Sequence, residues 1–165
     1  MYAKLIIIRG NSSSGKTSLA MALKEQWGNT LVVSQDAVRR EIIGCSDTKK
    51  NPAIEMIESL VSEAITKNDY VILEGILKRS TYYQMIERLM ELYAPRSALY
   101  YLSVSFETTK CRHLEGLRVN EFSIEQMEQW WIAEDLLDYK SEMLVDGEVE
   151  QTDLIEQVMN YIKDN

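Results

Sequence analysis

The sequence predicts an α/β fold in three layers, a parallel five-stranded sheet with helices on both faces. Three observations predict it. Short unbroken apolar runs (Leu5-Ile6-Ile7-Ile8, Leu31-Val32-Val33, Tyr70-Val71-Ile72-Leu73) read as strands buried on both faces. Stretches with apolar residues three and four apart separate them, and strands alternating with helices make a parallel sheet covered on both sides. The 165 residues are 45% hydrophobic and 27% charged with only 7 Gly and 2 Pro, which suits one domain over 1–165 with a full hydrophobic core.

The first strand runs into Gly10-Asn11-Ser12-Ser13-Ser14-Gly15-Lys16-Thr17, which satisfies G-x-x-x-x-G-K-[ST]. Behind it, residues 17–27 place Leu19, Leu23 and Trp27 four apart, as one face of a helix requires. A glycine-bounded loop between a buried strand and a helix is a phosphate-binding loop. Gly10 and Gly15 let the backbone curl its N–H groups inward, and the helix aims its positive end at the same spot. Gly10, Asn11, Ser12, Ser13, Ser14, Gly15, Lys16, Thr17 and Ser18 are expected to cradle a nucleoside triphosphate. Lys16 would reach the β and γ phosphates, and the Thr17 hydroxyl would take one position on Mg²⁺.

After the second strand come Ser34-Gln35-Asp36 and a short helix over 37–43, with Asp36 placed to cap it. Residues 44–50 form a polar loop, and Asn51-Pro52 reads as an N-cap followed by proline at the first helical position. Ile57, Leu60, Val61, Ala64 and Ile65 then mark an amphipathic helix. The third strand ends in Glu74-Gly75, and Thr81 with Gln84 suggests a capping box opening a helix to about Tyr93. Residues 97–104 make a fourth strand and 105–114 a helix, and Ser123 with Gln126 marks another helix start. Residues 141–145 make a short fifth strand, and Leu154, Ile155, Val158, Met159 and Ile162 form the stripe of a last helix.

Ligands of such a sheet belong at the carboxyl ends of its strands. There the chain presents the phosphate loop after the first strand, Asp36 after the second and Glu74 after the third. Phosphoryl transfer needs this set: a cradle and a metal for the triphosphate, and a base aimed at the acceptor hydroxyl. Asp36 reads as that base or as a plain helix cap. Arg39, one turn later, reads as an acceptor ligand above it or, like Arg40, as ordinary surface charge.

The phosphate loop, Val33-Ser34-Gln35-Asp36-Ala37-Val38-Arg39 and Val71-Ile72-Leu73-Glu74-Gly75 together resemble the small P-loop kinases, which include nucleoside-monophosphate, gluconate and adenylylsulfate kinases. The second-strand pattern is similar to that of chloramphenicol phosphotransferase, zeta toxins and polynucleotide 5′-hydroxyl kinases. The resemblance covers about the first 120 residues. It implies a P-loop NTPase fold with a small helical lid over about 112–135, ATP and Mg²⁺ at the loop, and Asp36 as base. Arg39 and Arg40 would face the acceptor. It also implies lid arginines that clamp the transferring phosphates; Lys110, Arg112 and Arg118 are the basic residues at that place, and Arg112 and Arg118 are the expected pair. Lys16, Asp36, Arg112 and Arg118 are then the catalytic residues. Glu74 stands where these families carry aspartate, so it would hold a magnesium-bound water or contact the acceptor.

Composition narrows the partners. A net charge of −8 repels nucleic acid and anionic membrane surfaces. Cys45 and Cys111 suggest no disulfide framework, no 18-residue apolar run exists, and the amino end lacks a signal peptide's apolar stretch. The expectation is a cytoplasmic enzyme acting on ATP and a small hydroxyl-bearing acceptor, with no membrane and its oligomeric state open. Two alternatives stay open: a polynucleotide 5′-hydroxyl kinase, and an NTP-binding switch or regulatory ATPase that transfers nothing. His113 reads as a packing or surface residue. Trp130 and Trp131 point about 100° apart on one helix, so one is expected in the core and the other at a pocket wall or contact.

Overall fold

In a computed structural model, residues 2–116, 119–139 and 141–164 are described, with side chains as far as 160. β1 (Lys4–Gly10), β2 (Thr30–Ser34), β3 (Tyr70–Gly75), β4 (Ser97–Ser103) and β5 (Glu142–Asp146) form one parallel sheet in the order β2-β3-β1-β4-β5. β1 is hydrogen-bonded on both sides, to β3 and to β4. Its apolar run is correspondingly sealed, with Leu5, Ile6, Ile7 and Ile8 at most 1% exposed.

Strand side chains alternate between faces, so one run of residues feeds two cores. Leu5 and Ile7, with Val71, Leu73 and Leu99, pack beneath α3 (Ala53–Ala64) and α4 (Arg79–Tyr93). Ile6 and Ile8, with Ile72, Tyr100 and Leu102, pack beneath α1 (Lys16–Trp27) and α7 (Gln151–Asp164). The fold is the three-layer α/β sandwich that the apolar runs predict, in the P-loop NTPase form that the resemblance implies. α5 (Phe106–Glu115) and α6 (Ile124–Trp130) follow β4, and the capping box at Ser123 is formed on both sides. Among the described residues no helix is long and apolar enough to cross a membrane, and both cysteines are free.

Several local expectations change. The helix after β2 begins at Gln35 rather than 37, as α2 (Gln35–Ala37), and continues as a π-helical turn, Val38–Ile43. Asp36 therefore lies inside the first turn and caps nothing; its carboxylate is held by arginines further along the same turn. α3 begins at Ala53, because the Asn51 side chain bonds the Thr48 carbonyl and the Tyr82 hydroxyl instead of a helix N–H. Ile57, Val61 and Ala64 make its buried stripe, while Leu60 stays 41% exposed at the edge.

α4 begins at Arg79, so Thr81 and Gln84 sit within the helix and form no capping box. The chain is forced into helix early there because the turn before it is tied down from outside. The carbonyl of Leu77 and the amide of Arg79 are both held by residues far away in sequence. Neither tryptophan joins the core: Trp130 is 38% exposed and Trp131 is half-buried. The side chain of Ile162 lies outside those described.

Candidate active site

The phosphate loop carries its conformation in the main chain. Gly10 has φ +148°, and a Cβ there would lie 2.8 Å from the Leu102 carbonyl oxygen and 2.9 Å from Ser14 Oγ, so only glycine fits. Gly15, with φ +96°, is the N-cap of α1, which has neither a side-chain cap nor an acidic residue in its first turn. The open N–H groups at that helix end are an anion site by construction. Lys16 is 7% exposed and folds back over the loop, its Nζ donating to the Asn11 carbonyl (2.5 Å) and to Ser14 Oγ (3.2 Å). Those two oxygens occupy the part a triphosphate's oxygens would play. Thr17 and Ser18 are exposed at the start of the helix.

One residue beside the loop comes from afar. Arg112 on α5 reaches it, with Nη1 3.4 Å from the Ser14 carbonyl oxygen and Nη2 2.9 Å from that of Gly147. Lys110 pairs with Glu107 instead, and Arg118 lies outside the described residues. Asn11 gives the loop its main chain, but its side chain is engaged elsewhere. Its amide donates to the Ile132 carbonyl (2.8 Å) and accepts from the Ile132 N–H (3.1 Å), tying the loop to the segment after α6. A cavity of about 370 Å³ opens there, lined by Asn11, Tyr101, Ser103, Trp131, Asp146 and Glu148. It sits past the ends of β4 and β5, away from the Asp36 side of the rim.

Across the sheet, Asp36 is flanked by two guanidinium groups. Arg39 Nη2 donates to Oδ1 at 2.7 Å, and Arg40 Nη1 donates to Oδ2 at 3.3 Å. Arg39 is also fixed by the Cys45 carbonyl (2.9 Å), and Arg40 by Glu121 Oε2 (3.0 Å). The charge of Asp36, with a smaller contribution from Glu121, holds the Arg40 guanidinium more firmly protonated than usual.

Glu74 lies between the two sides, in register with Ile8 of β1 and Ser34 of β2. It is 2% exposed and makes no side-chain hydrogen bond or ion pair with any described residue. A carboxylate at the end of the strand beside a phosphate loop is placed to meet a hard cation. Thr17 and Glu74 are oxygen donors of the kind magnesium takes, one or two from protein and the rest from water and phosphate. Among the described residues no group of three or more His, Cys, Asp or Glu could hold a metal ion.

Two buried polar assemblies support this rim, and sequence reading missed both. Gln35, 2% exposed, packs where a Cβ on Gly75 would fall 2.6 Å from its own Cβ. Its amide donates to the Tyr82 hydroxyl (3.0 Å), which also accepts from Asn51 (3.4 Å) and donates to Asp47 (2.6 Å). Burial, and then Asp47, push the Tyr82 phenol up. The second assembly centres on Arg9, 0% exposed, whose guanidinium bonds the Leu77 carbonyl (2.9 and 3.1 Å), Asp135 (2.9 and 3.2 Å) and Glu142 (2.5 Å). It holds Leu77 in the left-handed region, φ +47°, which a branched side chain does not adopt unassisted. An arginine inside the run LIIIRG was the available signal. Tyr82 offered none.

Comparison with known proteins fits this geometry. The AAA domain family matches residues 5–120. No curated protein matches the chain in sequence. Among solved structures, a gluconokinase from Sinorhizobium meliloti 1021 superposes with TM-score 0.68 at 17% identity, covering 98% of this chain and 92% of that one. Shikimate kinase from Acinetobacter baumannii, in complex with shikimate, gives 0.63 at 15% identity, covering 99% and 94%. The Deinococcus radiodurans tunicamycin resistance protein gives 0.70 at 12% identity, covering 98% and 96%. Similarity at these identities speaks to the fold, and the family match spans most of the chain. With its phosphate loop between β1 and α1, the chain belongs to the AAA domain family of P-loop proteins.

Proposed function

We propose that the chain is a kinase that binds ATP with Mg²⁺ and transfers the γ-phosphate to a hydroxyl of a small-molecule acceptor, within a single domain in the cytoplasm. One observation carries the reading: Asp36, Glu74 and the phosphate loop stand at the carboxyl ends of three neighbouring strands of one sheet, and Arg39 holds the Asp36 carboxylate at that rim. A cradle and a base at one rim are what phosphoryl transfer requires. The fold shared with structures named gluconokinase and shikimate kinase supports the class.

In this mechanism Lys16 leaves the Asn11 carbonyl and Ser14 hydroxyl for the β and γ phosphate oxygens. Arg112, already at the loop's edge, and Arg118 meet the charge that develops on the transferring group. Asp36 orients the acceptor hydroxyl and takes its proton as that oxygen bonds to the γ-phosphorus and the bond to ADP breaks. Arg39 and Arg40 fix Asp36 and face the acceptor. Magnesium, held by Thr17 and through water by Glu74, neutralises phosphate charge when bound. The lid segment, about 112–135, excludes water from the transfer.

The test is a screen of sugars, nucleosides, nucleotides and hydroxylated antibiotics for stimulated ADP release. One class should stimulate it, Lys16→Ala should cut it severely, and Asp36→Asn should keep ATP affinity while losing transfer. Slow ATP hydrolysis that nothing stimulates would identify a switch instead. Turnover surviving in Asp36→Asn would remove the base.

A further inference from the structure

A single guanidinium nitrogen serves two carboxylates from distant parts of the chain. Arg40 Nη1 lies 3.3 Å from Asp36 Oδ2 and 3.0 Å from Glu121 Oε2, across 81 residues. Glu121 is held in place from α5. The ring of its neighbour Phe122 stacks on His113 at 4.3 Å and 16°, and the Phe122 carbonyl lies 2.9 Å from His113 Nε2. His113 is 3% exposed and adjoins Arg112, the residue that touches the phosphate loop.

The electrostatic consequence follows from charge sharing. A carboxylate beside an undivided positive charge is a poor base, and a guanidinium that also serves a second carboxylate weighs less on the first. Arg39 bonds Asp36 from its own turn, Glu74 lies on β3 opposite Ser34, and Tyr82 and Asp47 stand behind Gln35. These groups stay constant when Arg40 or Glu121 is altered.

We propose that Arg40 and Glu121 are positioning residues for Asp36: Glu121, carried by the Phe122–His113 stack, shares the charge of Arg40 and leaves Asp36 basic enough to accept a hydroxyl proton. The proposal deepens the kinase reading and rests on Asp36 being its base. It assigns the lid segment a role besides covering the site, because the residue that tunes the base is carried on it.

The experiment follows the side-chain carboxyl signal of Asp36 by NMR in the intact chain labelled with ¹³C-aspartate, assigned by its loss in Asp36→Asn. Arg40→Gln should raise the titration midpoint by about half a pH unit, the size an exposed ion pair supplies. Glu121→Gln should lower it by a similar amount, and Phe122→Ala should move it the same way as Glu121→Gln. The double variant should match Arg40→Gln alone. All these side chains except Phe122 are substantially exposed, so folding is not at stake in the central cycle. An unmoved midpoint in Glu121→Gln, or a Glu121 effect that persists without Arg40, overturns the proposal. If the titration order holds but Asp36→Asn still transfers phosphate, the base assignment falls and with it the catalytic purpose of the pair.

Discussion

The phosphate loop is shaped by main chain, whereas the acceptor side after β2 and β3 is shaped by side chains. At the loop, two positive-φ glycines and an uncapped helix end set the geometry, and Lys16 merely folds across them. On the other side, Asp36 depends on Arg39 and Arg40, and Gln35 on a phenol whose other partners come from residues 47 and 51. Arg9 joins the two, since it stands one residue before the loop and fixes the turn that starts α4. A cradle made of backbone tolerates change in its side chains; a pocket made of side-chain contacts can be retuned one residue at a time. In the proposed kinase, one sheet would thus combine a donor half built of backbone with an adaptable acceptor half.

The comparison can be broken most severely at its joint. Arg9→Met should destabilise the fold by about 3–5 kcal/mol, read by urea unfolding, because it strands the buried Glu142 carboxylate and releases Leu77. A loss below about 1 kcal/mol would mean the two halves are not tied there. Lys16→Ala should cut nucleotide turnover by about 100- to 1,000-fold in an ADP-release assay, the range for removing one charge-stabilising donor.

Tyr93 supplies a control that belongs to neither half. Burial pushes its phenol from 10.0 up to about 12, and its hydroxyl bonds the Val61 carbonyl. The neutral form is the one the fold favours. Its contribution is therefore whole below pH 10 and drains away as pH rises towards about 12. Unfolding free energy should drop by up to about 3 kcal/mol across that window, and Tyr93→Phe should flatten the drop.

The sharpest discrimination comes from a smaller effect. Tyr82→Phe should cost about 1–3 kcal/mol by stripping donors and acceptors from Gln35, Asp47 and Asn51. It should also raise KM for the acceptor while leaving that for ATP unchanged. Equal rises in both would show that the halves are not separately built.

The same division decides what could be read in advance. The phosphate loop was legible because its chemistry is contiguous, from Gly10 to Thr17, and its flanks are a strand with an unbroken apolar run and a helix with one buried face. Asp36 and Arg39 were legible because position i+3 on a helical turn returns to the same side, and the ion pair forms as that spacing implies. The Tyr82 assembly was not, since it joins residues 35 and 47 positions apart through hydroxyl and amide contacts that no local pattern marks. Thr81 and Gln84 misled for a related reason. Their spacing suits a capping box, but tethers from Arg9 and Asp135 set where α4 begins. Asn11 shows the limit of a motif: its position was right, and its side chain faces the segment after α6.

The order of the strands also dictates when this protein is able to fold. The strand that leads into the phosphate loop precedes both of its partners in sequence, and its two ladders are with residues 70–75 and 97–102. Closing such distant pairings carries an entropy penalty before any contact rewards it. During synthesis the apolar stretch at 5–8 must wait for residues 97–102 before its second ladder can close. Until then it is a bare hydrophobic edge, the kind of surface that chaperones cover.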